Sequence, residues 1–179
     1  MWPDPDPRLA PWLEVEAQSQ HEREPPAHTR LSGLVNRAFV SRAIERLQPS
    51  ITALCHHLID AFPASGPFDL LAAYAEPIPV VVIAELLGVP TERAPDLLAW
   101  SHAMVAMYQF DRTRAVEDAA VAATEAFVAF LGEIVEERRR APKDDLLSAL
   151  LAAEAAGDRL TRAELISTAI LLLNAGHEA

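Results

Sequence analysis

Cysteine is almost missing from this chain. Cys55 stands alone, so no internal disulfide can form. That agrees with a reducing compartment, and the cytoplasm is the expected location. Basic charge is scarce as well: 15 Lys and Arg stand against 26 Asp and Glu, for a net charge of −11 and a pI near 4.9. An acidic chain without a basic block is a poor binder of nucleic acid or anionic membranes, and its charge reads as a device for solubility. No apolar run is long enough to span a bilayer. Pro77 to Val89 comes nearest, and Pro79 and Glu85 interrupt it. The start, Met1-Trp2-Pro3-Asp4-Pro5-Asp6-Pro7, has neither the basic nor the apolar region of a signal peptide. Glycine is rare, at 6 residues, and β-branched runs are short, which turns the reading away from strands.

What is present is helical material. Hydrophobic residues make up 51% of the 179, enough for one domain with a sizeable core. The proline-rich segment 1–26 reads as irregular, and residues 27–179 as an all-α body. Helices are predicted over Ala27–Phe39, Ser41–Phe62 (bent at Pro49), Leu70–Leu87 (divided or kinked by Pro77 and Pro79), Thr91–Tyr108 (with Thr91 as cap), Arg112–Arg140, Asp144–Ala156 and Thr161–Ala179. Arg138, Arg139 and Arg140 place cations at the negative end of the long fifth helix. Thr161-Arg162-Ala163-Glu164 forms a capping box for the last one. That helix is apolar nearly all round, as suits a core centre, and its pattern breaks off unfinished. An incomplete chain is the expectation.

Four blocks, in order, resemble the bacterial soluble branch of the cytochrome P450 family. Glu24-Pro25-Pro26-Ala27-His28-Thr29-Arg30-Leu31, with Leu34-Val35-Asn36-Arg37-Ala38-Phe39, is similar to the family's C helix. Pro77-Ile78-Pro79 and Ile83-Ala84-Glu85-Leu86-Leu87-Gly88-Val89-Pro90 resemble its E helix and following turn. Asp144-Asp145-Leu146-Leu147-Ser148-Ala149-Leu150 resembles its H helix, and Asn174-Ala175-Gly176-His177-Glu178 the centre of its I helix. The resemblance implies the central helical portion of that fold, without the early β-rich region, the Glu-x-x-Arg helix or the cysteine-bearing loop. It implies a haem-thiolate monooxygenase using haem b, dioxygen, an apolar small-molecule substrate and a ferredoxin-type electron donor. The axial thiolate is absent from this sequence, and a chain of this extent is expected to be inactive alone.

The same resemblance assigns the site. His28 corresponds to a C-helix histidine that reaches a haem propionate. Its usual partner four positions on is arginine, and here that position is Ser32, which brings a hydroxyl but no charge. Ala175 and Gly176 correspond to the small pair that leaves a gap over the iron for oxygen and water. Glu178 corresponds to the acid of the proton-delivery route, and Ala179 replaces the threonine that usually follows. By residue type alone, Ala175 and Gly176 also suit a close helix crossing.

Other residues carry weaker signals. Cys55 reads as a small core residue, and its neighbours His56 and His57 point about 100° apart on a helix, too far to share one tetrahedral zinc. Arg30, Arg37, Arg42 and Arg46 are a local basic exception, where the resemblance places ferredoxin docking and residue type alone gives a solvated helix face. Met104, Met107, Tyr108 and Phe110 suit a pocket roof or ordinary packing. Two other functions remain open to the sequence: a non-catalytic helical ligand-binding or regulatory module, and a zinc hydrolase opened by His177-Glu178.

Overall fold

A computed structural model describes residues 6–38, 47–153 and 158–178, the last of these, Glu178, by its backbone. Among the described residues there are eight α-helices and no sheet. They are α1 (Ala10–Gln18), α2 (Ala27–Ala38), α3 (Gln48–Asp60), α4 (Pro77–Leu87), α5 (Ala94–Val105), α6 (Arg114–Arg140), α7 (Leu146–Ala152) and α8 (Arg162–Glu178). The all-α expectation holds.

Proline positions explain most of the boundaries. Pro49, Pro77 and Pro95 each stand in the first turn of a helix, where a missing N–H costs nothing. Pro49 therefore starts α3 within the described residues. Pro77 and Pro79 open α4 behind a single π-type turn, Leu71–Ala75. The left-handed Gly88, φ 78°, ends α4, and the Val89 N–H returns to the Ala84 carbonyl. Thr91 does not cap α5. It enters a 3₁₀ turn, Thr91–Arg93, that has no side-chain cap.

One correction concerns the N-terminal segment. Residues 10–18, expected to be irregular, form α1, with Pro7 and Pro11 in the first turns of a 3₁₀ helix and of α1. Proline richness obscured a helix because these prolines initiate rather than break it. Leu9, Met107 and Ala120 make a small cluster covered by Trp12 and Leu13, and α1 lies on α6 and α8. Residues 10–18 are thus packed into the same body as the rest, and no gap in packing falls at residue 26.

The long helix α6, about 40 Å at 1.5 Å per residue, runs beside α5. Phe127, Leu131 and Val135 of α6 meet Leu97 and Met104 of α5 in the principal core. Trp100 lies between Phe127 and Phe130, with ring centroids 5.3 and 5.7 Å away, and Arg93 covers Phe130 at 4.7 Å. The core's other wall is Val80, Ala84 and Leu87 of α4 with Leu165, Ala169, Ile170 and Leu173 of α8. Every residue from Glu164 to Ile170 is buried, so α8 is surrounded as its apolar character required.

Arg138 departs from the simple dipole role. It is buried, its Nε pairs with Asp145 at 2.5 Å, and its Nη2 donates to the Gly88 carbonyl. Asp145 in turn caps α7 through the Ser148 N–H at 2.8 Å.

Candidate functional site

His28 and Ser32 stand on α2, while helix α8 carries Ala175, Gly176 and the backbone of Glu178. Its N-terminus is the expected capping box: the Thr161 N–H donates to Glu164 Oε2 at 2.9 Å, and the Glu164 N–H to Thr161 Oγ1 at 3.2 Å. Glu164 is buried, and its other carboxylate oxygen takes Arg30 Nη2 from α2. Arg30 also lies 3.4 Å from Asp158. It is therefore neutralised within the chain and is no free member of a basic patch. Arg37 is exposed, while Arg42 and Arg46 lie outside the described residues.

About a third of the way along α8, Ser167 donates to the Val15 carbonyl of α1 at 2.8 Å. Two turns further, Ser101 of α5 is wholly buried and donates to Asn174 Oδ1 at 2.6 Å. The same hydroxyl touches His177 Nε2, and the His177 ring lies edge-on to His102 at 5.2 Å. A polar clasp thus joins α5 to α8 beside Ala175 and Gly176.

Ala175 and Gly176 themselves are exposed. A Cβ added to Gly176 would meet Ile83 of α4 at 2.7 Å. The glycine therefore permits a close crossing of α4 and α8, the role residue type alone allowed. Ala179 and the side chain of Glu178 lie outside the described residues.

Ala175 also floors a recess of about 220 Å³ between α1, α5 and α8. Along α8 its lining follows Ser167, Ile170, Leu171, Asn174 and Ala175, one helical face. The opposite wall carries Glu16 and Tyr108, whose hydroxyl donates to Glu16 Oε2 at 2.7 Å. Burial raises the Glu16 carboxyl above its ordinary value, moderated by the Tyr108 hydrogen bond. Desolvation at its hydroxyl end, then that carboxylate, keeps Tyr108 protonated, although the residue as a whole is largely exposed. Sequence reasoning missed Glu16 because it sat in a segment read as irregular. Its helical spacing from Trp12 and Leu13 was the available signal. Met104 and Met107 are buried in the packing, whereas Tyr108 and Phe110 are exposed.

His28 and Ser32 occupy one face of α2, with His28 Nε2 3.3 Å from Ser32 Oγ. The Ser32 hydroxyl also donates to Gln20 Oε1 at 3.4 Å. Cys55 on α3 is half-buried rather than in the core, because α3 is peripheral and none of its residues is fully buried. Among the described residues, no group of three His, Cys, Asp or Glu could hold a metal ion, and no helix is long and apolar enough to cross a membrane.

The architecture defines a class: an all-α layer of helices packed round one central apolar helix that carries a small-residue pair. Comparison with known proteins makes it specific. Over 156 residues the chain is 45% identical to a vitamin D(3) 25-hydroxylase of Pseudonocardia autotrophica, covering 87% of this chain and 37% of that protein. It is 40% identical over 174 residues to a nocardicin C N-oxygenase of Nocardia uniformis subsp. tsuyamanensis, covering 97% of the chain and 42% of the relative. Its backbone matches the crystal structure of P450BioI in complex with hexadec-9Z-enoic acid-ligated acyl carrier protein with a TM-score of 0.89. The identity there is 30%, over 99% of this chain and 45% of that one. No family model matches the chain. The chain belongs to the cytochrome P450 family, of bacterial type, and spans about two fifths of the length of the relatives it matches.

Proposed function

We propose that these residues form the distal, substrate-side half of a haem-thiolate monooxygenase, which inserts one oxygen atom of O2 into an apolar small molecule. The observation that carries this reading is Ala175 and Gly176. Both are exposed, on a helix buried throughout from Glu164 to Ile170, and Ala175 lines a recess together with Ile170 and Leu171. Haem b, when bound, would supply the activation of dioxygen. The residues present fit that group on one side only. Ala175 and Gly176 provide a surface without side-chain bulk for it to lie against, and His28 with Ser32 provides donors for a propionate. Cys55, the chain's single cysteine, is on peripheral α3 and is not assigned as axial ligand.

Each residue then has a definite task. Ile170, Leu171 and Ala175 keep the floor of the recess apolar and exclude water from the substrate's reacting carbon. The Ser101–Asn174–His177 clasp holds α5 against α8 and fixes the roof. The carboxyl of Glu178 relays protons from solvent. Ala179 offers no hydroxyl, so the hydrogen bond that a threonine there would donate falls to an ordered water or to the substrate. Electrons come from a ferredoxin-type donor. The charge available for its docking on α2 is reduced to Arg37 among the described residues, because Arg30 is paired internally.

The reading frame beyond codon 179 provides the first test. A Glu-x-x-Arg helix and a cysteine-bearing loop are expected there, and their absence overturns the assignment. The complete protein, reduced under carbon monoxide, should show a red-shifted Soret band. The 179-residue chain alone should not. A histidine three positions past Glu178, with zinc-dependent hydrolysis, would support the hydrolase instead.

A further inference from the structure

Resting on that functional reading, we propose that the recess between α1, α5 and α8 selects a substrate carrying a cationic ammonium group on an apolar body. Glu16 and Tyr108 bind the charged end. The argument begins with what the recess presents. Its α8 wall, from Ser167 to Ala175, is one stripe about 12 Å long at 1.5 Å per residue. That stripe is mainly apolar through Ile170, Leu171 and Ala175. Facing it is a half-buried carboxylate, Glu16, together with Tyr108, whose hydroxyl donates to it.

Glu16 is incompletely satisfied. Oε2 accepts from Tyr108, while among the described residues no Lys or Arg pairs with the carboxylate. Glu22 adds negative potential, acting on both Glu16 and Tyr108, and His21, which also lines the recess, offsets part of it at Glu16. Removing a carboxylate from water without a cationic partner is unfavourable, and a ligand cation would repair that. An anionic end would meet the Glu16 carboxylate and is disfavoured. Tyr108 reinforces the preference, because a ring face attracts an alkylammonium group. Trp12 packs edge-on against Tyr108 at 5.9 Å between ring centroids and steadies its ring. A ligand held at Glu16 shares the recess with Ile170, Leu171 and Ala175, so its apolar body packs against the α8 wall.

The test uses the haem-loaded protein from the complete reading frame and three probes of one chain length: decyltrimethylammonium, 1-decanol and decanoate. A quaternary nitrogen cannot ligate iron, so isothermal titration calorimetry reads the recess alone. The cation is expected to bind about tenfold more tightly than the alcohol, and decanoate more weakly than either. Glu16→Gln should bring the cation to the alcohol's affinity while leaving the alcohol unchanged. Tyr108→Leu should weaken the cation about threefold and leave the order of the probes intact. Equal affinity of cation and alcohol in the parent, or a cation preference that survives Glu16→Gln, would overturn the proposal. The carbon monoxide spectrum of each variant keeps the two questions apart: a red-shifted band with no cation preference rejects this inference alone, whereas no band rejects the enzyme assignment.

Discussion

At the scale of single residues, Gly176 shows how one missing Cβ positions two helices. Replacing a helical glycine by alanine ordinarily gains about 1 kcal/mol. Here the new Cβ would lie 2.7 Å from Ile83 Cγ1 and 2.9 Å from Cδ1. Isoleucine is stiff about χ1, so Cγ1 cannot swing clear cheaply. Overpacking of this kind costs about 1–3 kcal/mol and outweighs the propensity gain. Gly176→Ala should therefore destabilise the protein by about 1 kcal/mol in urea unfolding. Adding Ile83→Ala should remove the clash, giving a favourable coupling in the double-mutant cycle. An additive pair would mean that the two residues do not meet. Ala175 adjoins the recess and Gly176 the crossing, so the small pair meets both on neighbouring faces of α8.

At the scale of elements, Arg138 joins three of them: the end of α6, the turn after α4 and the start of α7. Its Nε pairs with buried Asp145, and Nη2 with the Gly88 carbonyl. Nη1 lies 3.0 Å from Glu137 but makes no well-aligned hydrogen bond. Breaking a buried pair by removing one partner strands the other charge, a loss of about 3–5 kcal/mol. Arg138→Met is expected to cost that much, whereas Arg139→Met, exposed one position on, should stay within about 0.5 kcal/mol. Urea titrations of the two variants check the contrast. Equal effects would show that Arg138 acts only on the helix dipole. Gly88 belongs to the same joint, since its positive φ and the Asp145 side chain packed against it leave no room for a Cβ.

At the scale of the whole molecule, the apolar surface is uneven. Phe68, Leu70 and Leu71, close to Phe62 and Tyr74, are substantially exposed, with Leu71 at 65% and Leu70 at 55%. Contiguous exposed apolar groups of this kind drive association. The 179-residue chain prepared alone should bind a hydrophobic dye and associate with rising concentration in sedimentation velocity. Leu70→Ser/Leu71→Ser should reduce both signals. A chain that stays monomeric and does not bind the dye would count against this surface as the cause.

Local chemistry determined the helices of this protein and the place of its central one. Periodicity, the prolines of first turns, Gly88 and the Thr161–Glu164 box all act within a few residues, and α4, α6 and α8 follow from them. The four sequence blocks likewise identified the family, and with it the expected roles of His28, Ser32, Ala175, Gly176, Glu178 and Ala179. Only the tertiary structure decided which polar groups meet. Glu16 and Tyr108 are 92 positions apart, Arg30 and Glu164 134, and Ser101 and His177 76. Nothing in local spacing marks such pairs, because they form only when burial of the apolar faces brings distant helices together. The same packing turned a proline-rich leader into α1, committed Arg30 to an internal ion pair, and set Glu16 at the edge of an apolar recess.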